Sequence, residues 1–413
     1  MRRTVNPPTI LTTVVTLTAT LVLILAIACG GGDSQRGHSL TAPPTVFSPT
    51  LPSGAKIPSC GTQTALMSVS PIAFAEMTGW VPLGNMGPPG HLFPTDHQYL
   101  YVNRPTTGLT PGTFNTVAVV APANITITGA HRTHYSTSDA YDYALDFALC
   151  DEVRGTFGHV TTLTPDLLAE LGAFDFQCYS YDLGLNNGTT FSGCYTKPAG
   201  IARSVSAQIG TAGGQTSLAL DFWLHDTRHA PLVYANPARW PGTTPQAYTV
   251  AASEYFAEPA RSAILARLGN YNGTMLRTLE PRGGEIAYDI AGALRGAWIN
   301  AAMTSVPEAA HLAFAPDNVD PSILSVSMGL SQPNFPSGLY QYTAMASGYV
   351  NRDPAQITAD GHIYCFEFSP GRGVVLAQMA TASSVRVEGR AGFVSCADQA
   401  PFAFSGQTFT YVR

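Results

Sequence analysis

Short alternations of apolar and polar residues, separated by clusters of Pro, Gly and Asn, restrict the fold of this chain more than any other feature. They occur at HQYLYV (97–102), TVAVVA (116–121), NITITGA (124–130) and YALDFALC (143–150), and again near the C-terminus at SILSVSMGL and GHIYCFEFS. Successive side chains of a strand point to opposite faces of a sheet, so a period of two predicts strands with one buried face. The sequence therefore predicts a mainly β protein.

Two segments depart from this pattern and predict short helices. TPDLLAELGAF (164–174) has Thr164 as a capping residue, acidic residues in its first turns and Gly172 as its end. TVAASEYFAEPARSAILARLGN (249–270) also has a helical pattern, which Pro259 should interrupt because proline cannot donate the backbone hydrogen bond of a helix interior. We expect few helices, all of them short.

The N-terminus predicts export. Two arginines precede a long apolar run that ends at Cys29, as in a secretory signal peptide. The stretch LAIAC resembles a bacterial lipobox, which implies a signal peptide at 1–28, Cys29 as the site of lipid attachment and an extracytoplasmic protein anchored to a bacterial membrane. The alternative is a membrane-spanning anchor, because the apolar run is long enough to span a bilayer. Residues 29–58 are rich in Gly, Ser, Thr and Pro and predict a flexible tether.

The rest of the chain is long enough for two domains. The Pro-rich stretch RWPGTTPQ and the predicted helix after it place the boundary so that one β-domain spans 59–245 and a second β-rich domain spans 246–413. Only 12% of the residues are charged, and the net charge is −6. Without a basic patch, nucleic acid is not an expected partner. The sequence does not indicate an oligomeric state.

Six cysteines remain after Cys29, and an even number in an exported chain predicts disulfides. We expect Cys365–Cys396 first, because both lie in the C-terminal part. Cys178–Cys194 is the second expectation, because it closes a short loop rich in Gly and Asn. A cysteine-based zinc site is the alternative, but the sequence contains no CxxC spacing.

Three widely spaced elements carry candidate site residues. GHLFPTDHQYLYV (90–102) contains His91, Asp96 and His97; CDEVRGTFGHVTTL (150–163) places His159 at a predicted strand end; QIGTAGGQTSLALDFWLHD (208–226) is a glycine turn followed by a strand with Asp221. Imidazole nitrogen and carboxylate oxygen are common zinc ligands. Each residue also has a structural explanation: a turn closed by aspartate, a histidine satisfied by a carbonyl, or a strand face turned to solvent.

The three elements, in this order, resemble the LytM-like metallopeptidases (the M23 family), which cut peptide cross-links in bacterial cell wall. That family has an HxxxD element, a later YxHL histidine and a GxTGxSxGxHLHFE segment on a small antiparallel β-domain with an open groove. The resemblance covers residues 75–235. It implies that His91, Asp96 or His97, and Asp221 hold Zn²⁺, with Asp221 in the place of the second histidine of HxH. It also implies a catalytic role for His159.

The resemblance departs from the family pattern at two points. His91 and Asp96 are five residues apart instead of four, so either Asp96 or His97 fits the second ligand position. Ala219 stands where the family has its other catalytic histidine, and its methyl group cannot transfer a proton. We therefore keep two hypotheses. One is a zinc-binding, peptidase-like domain acting on cell-wall peptides. The other is a non-catalytic envelope protein that binds peptide or glycan through the same groove.

Overall fold

The computed structural model describes residues 56–103, 115–182, 190–214, 216–236, 244–302, 310–332, 334–369, 371–392 and 394–413. The predicted signal peptide, the lipid-attachment residue Cys29 and nearly all of the tether lie outside these residues. In the part of the chain that is described, no helix is both long enough and apolar enough to cross a membrane.

The fold is mainly β, as predicted, and consists of two antiparallel sheets. The first sheet has eleven strands, of which eight follow one another in the order β1-β2-β11-β6-β5-β4-β8-β7. The short strand β9 pairs with β4, and β10 pairs with both β3 and β6. Its strands are β1 Met77–Val81, β2 Gln98–Val102, β3 Val117–Val120, β4 Ile125–Tyr135, β5 Ala140–Ala148, β6 Val153–Leu163, β7 Phe176–Asp182, β8 Thr190–Tyr195, β9 Ile201–Arg203, β10 Gln208–Ala212 and β11 Ala219–Asp226.

The second sheet has eight strands in the order β15-β14-β13-β12-β19-β18-β17-β16. One of its faces builds a core around Trp298, Phe314 and Phe366, which are all fully buried. Its strands are β12 Gly296–Asn300, β13 Leu312–Pro316, β14 Ile323–Met328, β15 Gly338–Thr343, β16 Tyr364–Glu367, β17 Val374–Thr381, β18 Ser384–Arg390 and β19 Phe409–Val412.

The connection between the two sheets belongs to the core of the first one. Ala252, Phe256, Ile264 and Leu268 pack in the same apolar cluster as the core-facing residues of β2, β6 and β11. These four residues follow position 245, where the sequence analysis placed the domain boundary. The first apolar core therefore extends to about residue 268, and the second sheet begins at β12.

The two predicted helical segments are present in shortened form. Helix α1 spans Pro165–Leu171 and ends at Gly172, whose positive φ of 75° is unfavourable for other residues. The segment 249–270 contains a 3-10 turn at Ala252–Tyr255 and helix α2 at Ala260–Leu265. Pro259 lies between the two, which confirms that it interrupts the helical pattern.

Three disulfides join the six described cysteines. Cys365–Cys396 and Cys178–Cys194 are the two pairings that the sequence predicted. The third, Cys60–Cys150, ties the segment before β1 to the end of β5 across 90 residues of sequence. Three disulfides are compatible with an exported protein, since such bonds persist in oxidising compartments.

Candidate functional site

The two faces of β11 separate the apolar core from the candidate site. Leu220, Phe222 and Leu224 point into the core of the first sheet and are fully buried. Asp221 and Trp223 point to the opposite face, yet they are only 1% and 4% exposed. The alternative that Asp221 lies on a solvent-exposed strand face is therefore wrong. A buried carboxylate needs a physical explanation, because a charge is costly to remove from water.

The pairing of β11 brings the other sequence elements to Asp221. This strand lies between β2 and β6, so that Asp221 is directly opposite Tyr99 on one side and Gly158 on the other. His97 immediately precedes β2, and His159 follows Gly158 in β6. Residues that are more than 60 positions apart in sequence are therefore neighbours along one row of the sheet.

A β-bulge directs His159 toward this row. Phe157 and Val160 both point into the core although they are three residues apart, which a regular strand does not allow. The pairing with β5 shifts its register here, and His159 has a positive φ of 55°. The extra residue turns the imidazole to the face of Asp221, as bulges do near functional sites. Our placement of His159 at a strand end is wrong, because it lies inside β6.

Two imidazoles approach the same carboxylate oxygen. The Nε2 atom of His97 and the Nε2 atom of His159 each lie 3.5 Å from Oδ2 of Asp221. The other ring nitrogen of each histidine contacts a carboxylate of its own. Nδ1 of His97 is 3.1 Å from Asp96 Oδ1, and Nδ1 of His159 is 2.6 Å from Asp142 Oδ2. Carboxylates and imidazoles thus alternate along a chain of five side chains, with Asp221 in the middle.

The two outer carboxylates are themselves held in place. The indole Nε1 of Trp223 donates a hydrogen bond of 2.9 Å to Asp96 Oδ1. The hydroxyl of Tyr135 donates one of 2.9 Å to Asp142 Oδ2. These donors keep each carboxylate oriented toward its histidine. Sequence reasoning missed Asp142 and Tyr135, which lie on β5 and β4 far from any motif, and the sole signal was an aspartate in an otherwise alternating strand.

Burial dominates the electrostatics of Asp221. Removal from water raises the pKa of its carboxyl group, while His159 and His97 act in the opposite direction. Neither of its oxygens receives a hydrogen bond from the described residues. A buried polar group without a hydrogen-bond partner costs about 1–3 kcal/mol, and more when it is charged. A proton or a cation beside Asp221 would remove most of this cost.

His91 lies next to the chain of carboxylates and imidazoles. It is 5% exposed, and its ring centroid is 5.4 Å from that of His97 and 6.2 Å from that of Tyr99. Burial, and next to it the neighbouring His97, lowers the pKa of His91 to about 3. Its Nε2 has no hydrogen-bond partner among the described residues. A neutral imidazole of this kind has a lone pair that can bind a metal ion.

The imidazole nitrogens and carboxylate oxygens around Asp221 are atom types that bind zinc. They lie farther apart than the ligand atoms of a site with bound zinc. Zinc is bound by imidazole nitrogen and carboxylate oxygen at about 2.0–2.2 Å. Within the described ranges, Cys60, Cys150 and Glu152 form the one group of potential ligands whose donor atoms all lie within 4.8 Å of one another. Its two cysteines share a disulfide, so no thiolate is available there. The imidazoles around Asp221 would have to close on an ion.

Ala219 occupies the row beside Asp221. It is 2% exposed, lies directly opposite Tyr101 on β2 and packs with Val81 and Tyr99. Its methyl group cannot donate or accept a proton. Apolar and aromatic side chains therefore cover position 219.

The predicted site residues thus fall into three groups. The structure brings His97, His159 and Asp221 into contact, places His91 beside His97, and places Asp96 at the far nitrogen of His97.

Comparisons with family models, with curated proteins and with solved structures find no match.

Proposed function

We propose that the first β-domain binds a divalent metal ion, Zn²⁺ by its donor chemistry, and that the protein is an exported envelope lipoprotein with a LytM-like site. The observation that carries this proposal is the buried Asp221 between two imidazoles that each have Nδ1 on a carboxylate and Nε2 toward the same oxygen. Metal-binding histidines typically donate their second ring N–H to a carboxylate, which fixes the tautomer and the ring orientation.

We take His91, His97 and Asp221 as the ligands, because the resemblance implies them and because His97 Nε2 lies 3.5 Å from Asp221 Oδ2 with the ring of His91 beside it. Of the two alternatives that the sequence left for the second ligand, His97 is the better one, because Asp96 contacts Nδ1 of His97 and the indole of Trp223. Asp96 then acts as the orienting partner of a ligand. A bound zinc ion would act as a Lewis acid and lower the pKa of a coordinated water.

His159 has a separate role in this proposal. Its Nδ1 is held by Asp142 at 2.6 Å, so that a proton at Nδ1 is stabilised by the carboxylate. Its Nε2 then carries the lone pair on the side of Asp221, where it can accept a proton. Once Nε2 is protonated, it can donate to the carbonyl of a peptide and polarise it. The cell-wall peptides cut by LytM-like enzymes are the substrate class that this resemblance implies.

A second candidate is a non-catalytic envelope protein that binds peptide or glycan on the same face. The observation that favours it is Ala219, which supplies no proton-transfer group where the resembling family has one. This second candidate does not require bound metal, and it differs from the first in that the bound peptide or glycan is not cut.

Metal analysis of the full chain tests the proposed metal site. After incubation with zinc and gel filtration, we expect about one zinc per chain in the wild type, as in other three-ligand sites. His97→Ala and Asp221→Ala should lose the metal. His134→Ala is the matched control, because His134 lies on β4 of the same sheet and pairs with Asp139 outside the cluster. Wild-type protein without stoichiometric metal would refute the proposal.

Incubation of the protein with insoluble peptidoglycan distinguishes the two candidate functions. Release of new amino groups by the zinc-loaded wild type, and not by His159→Ala, supports a peptidase. Co-sedimentation without release of amino groups supports the binding protein. If the protein neither cuts nor sediments with peptidoglycan, both assignments of a cell-wall ligand are wrong.

A further inference from the structure

The segment that carries His91 is a hairpin between β1 and β2, and we call residues 84–95 the His91 hairpin. Gly87 and His91 exchange backbone hydrogen bonds of 2.7 and 3.0 Å across its turn. Nearer its base, Gly84 N donates to Thr95 O and Thr95 N donates to Asn85 O, both at 3.0 Å. These bonds define the shape of the hairpin, but they do not determine where it lies relative to β11.

The apolar side chains of the His91 hairpin pack on the second sheet. Met86, Leu92 and Phe93 form a buried cluster with small and branched residues of β12 and β13, together with Tyr288. The residues contributed by the two strands are Ala297, Ile299, Ala313 and Ala315. Leu92 is fully buried and Phe93 is 6% exposed. Alanines at the contact leave room for the larger side chains of the hairpin, so that the two surfaces interdigitate.

An aromatic contact lies within this interface. The ring of Phe93 stacks on His311, with centroids 5.9 Å apart and an interplanar angle of 15°. His311 is 1% exposed, and its Nδ1 accepts a hydrogen bond from the backbone N–H of Asn300 on β12. The second sheet therefore holds the imidazole of His311 in a defined orientation under Phe93. Phe93 is two residues from His91 in sequence.

The base of the hairpin is attached to residues that flank β12 and β13 in sequence. Leu83 N donates to Gly283 O at 2.9 Å, and Asn318 Nδ2 donates to Pro82 O at 3.0 Å. Gly84 has a φ of +83°, and a Cβ at this position would lie 2.2 Å from the carbonyl oxygen of Glu285. Only glycine allows this close approach. The hairpin is thus held at its base as well as along its apolar face.

We infer that the second domain is a positioning element for His91, with Phe93 and His311 as the contact through which it acts. This inference rests on the proposed metal site for its functional meaning, but the contact itself does not depend on metal. The β12–β13 face restricts the His91 hairpin to one position, and this position keeps the imidazole beside His97. A second domain that served only as a separate binding module would leave the hairpin unaffected.

Two variants of the full chain and one control test the inference. Phe93→Leu removes the stacked ring, and Ala313→Leu adds volume to the β12–β13 face on which the hairpin packs. Phe314→Leu is the matched control, because Phe314 follows Ala313 on β13 but points to the opposite face, where it packs on Phe366 at 5.2 Å. All three change a buried apolar side chain, but only the first two touch the hairpin.

Hydrogen exchange of the metal-free protein and zinc affinity are the two measurements. We expect faster exchange at residues 84–95 in Phe93→Leu and Ala313→Leu than in Phe314→Leu. We expect zinc affinity to fall about 10- to 100-fold in the first two variants, as for other residues that orient metal ligands. If Ala313→Leu does not fold, Phe93→Leu carries the test alone.

The outcomes separate this inference from the proposed function. If the wild type binds no zinc, the proposed function fails, and the inference is decided by hydrogen exchange alone. If the wild type binds zinc but Phe93→Leu exchanges and binds like the control, the inference is wrong and the metal site stands. Equal losses of affinity in Phe93→Leu and Phe314→Leu would also overturn it, since the effect would then be one of general stability.

Discussion

Asp221→Asn tests two properties of the candidate site separately. One is the free-energy cost of its buried carboxylate, and the other is its ability to bind zinc. The carboxylate of Asp221 is 1% exposed, and no hydrogen bond from the described residues reaches either of its oxygens. Such a group costs about 1–3 kcal/mol. Asparagine has nearly the same size, carries no charge and offers an N–H donor to the nearby imidazole nitrogens of His97 and His159, which lie 3.5 Å from Oδ2. We therefore expect the metal-free variant to be more stable than the wild type by about 1–3 kcal/mol.

The pH dependence gives this prediction a sign. Burial raises the pKa of Asp221 in the folded state above its ordinary value of 3.8. Above the folded-state pKa the carboxyl group is ionised, and its full destabilising effect on the fold is present. Below pH 3.8 the group is protonated in both the folded and the unfolded state, and this destabilisation disappears. The gain from asparagine should be largest near neutral pH and should shrink on acidification.

Thermal unfolding with EDTA or with zinc is the assay. In a domain of this size, each 1 kcal/mol shifts the Tm by about 2–4 °C, so that Asp221→Asn should unfold roughly 2–12 °C higher than the wild type in EDTA. Zinc at a hundredfold excess over Kd should stabilise the wild type by about 2.7 kcal/mol. The same zinc concentration should leave the variant unchanged, because a neutral amide is a poor zinc ligand.

Asp146→Asn is the matched control. Burial raises the pKa of Asp146 to about 6, and the hydroxyl of Thr156 donates a hydrogen bond of 2.7 Å to it, outside the cluster. This variant should keep the full response to zinc. A metal-free Asp221→Asn protein that is less stable than the wild type, or that zinc stabilises as strongly, would refute the reasoning.

Three further predictions concern the surroundings of the site. Asp96→Asn should weaken zinc binding about 10- to 100-fold in a chelator competition, because the proposed ligand His97 loses the carboxylate at its Nδ1. Burial lowers the pKa of His131 from 6.5 to about 4, so that between these pH values the unfolded chain binds a proton that the folded protein does not. The free energy of unfolding therefore falls as the pH drops from 6.5 toward 4. His131→Gln should make the free energy of unfolding, measured with urea, less dependent on pH in this range. Arg228→Ala should lower the free energy of unfolding by about 1.5–3 kcal/mol in the same assay, because Asp226 loses the guanidinium that contacts both of its oxygens but keeps the hydrogen bond from Tyr255.

The sequence predicted those parts of the fold that depend on local pattern. Alternation of period two identified β2 to β5, and Pro259 marked the interruption between a 3-10 turn and α2. Two of the three disulfides followed from the positions of the cysteines in the chain. The extent of the first core did not follow, because Phe256 and Leu268 reach it through packing that leaves no mark in the local pattern.

The candidate site was predicted as a set of residue types and corrected in its arrangement. His97 and Asp96 are adjacent in sequence, and both are acceptable zinc ligands. Only the contacts show that Asp96 contacts Nδ1 of His97 while Nε2 of His97 turns to Asp221. Asp142 was invisible to motif reasoning, since its relation to His159 arises from the pairing of β5 with β6.

By itself the sequence determined that the protein is mainly β, where β2 to β5 lie, and which histidines and aspartates are available for a site. These properties follow from the alternation of side chains and from residue chemistry, and both are local. The tertiary structure decided that Asp221, His97 and His159 meet, because sheet register and a bulge in β6 set contacts between residues distant in sequence. It also decided that the second sheet packs on the His91 hairpin, a relation that depends on two surfaces and therefore on the whole fold.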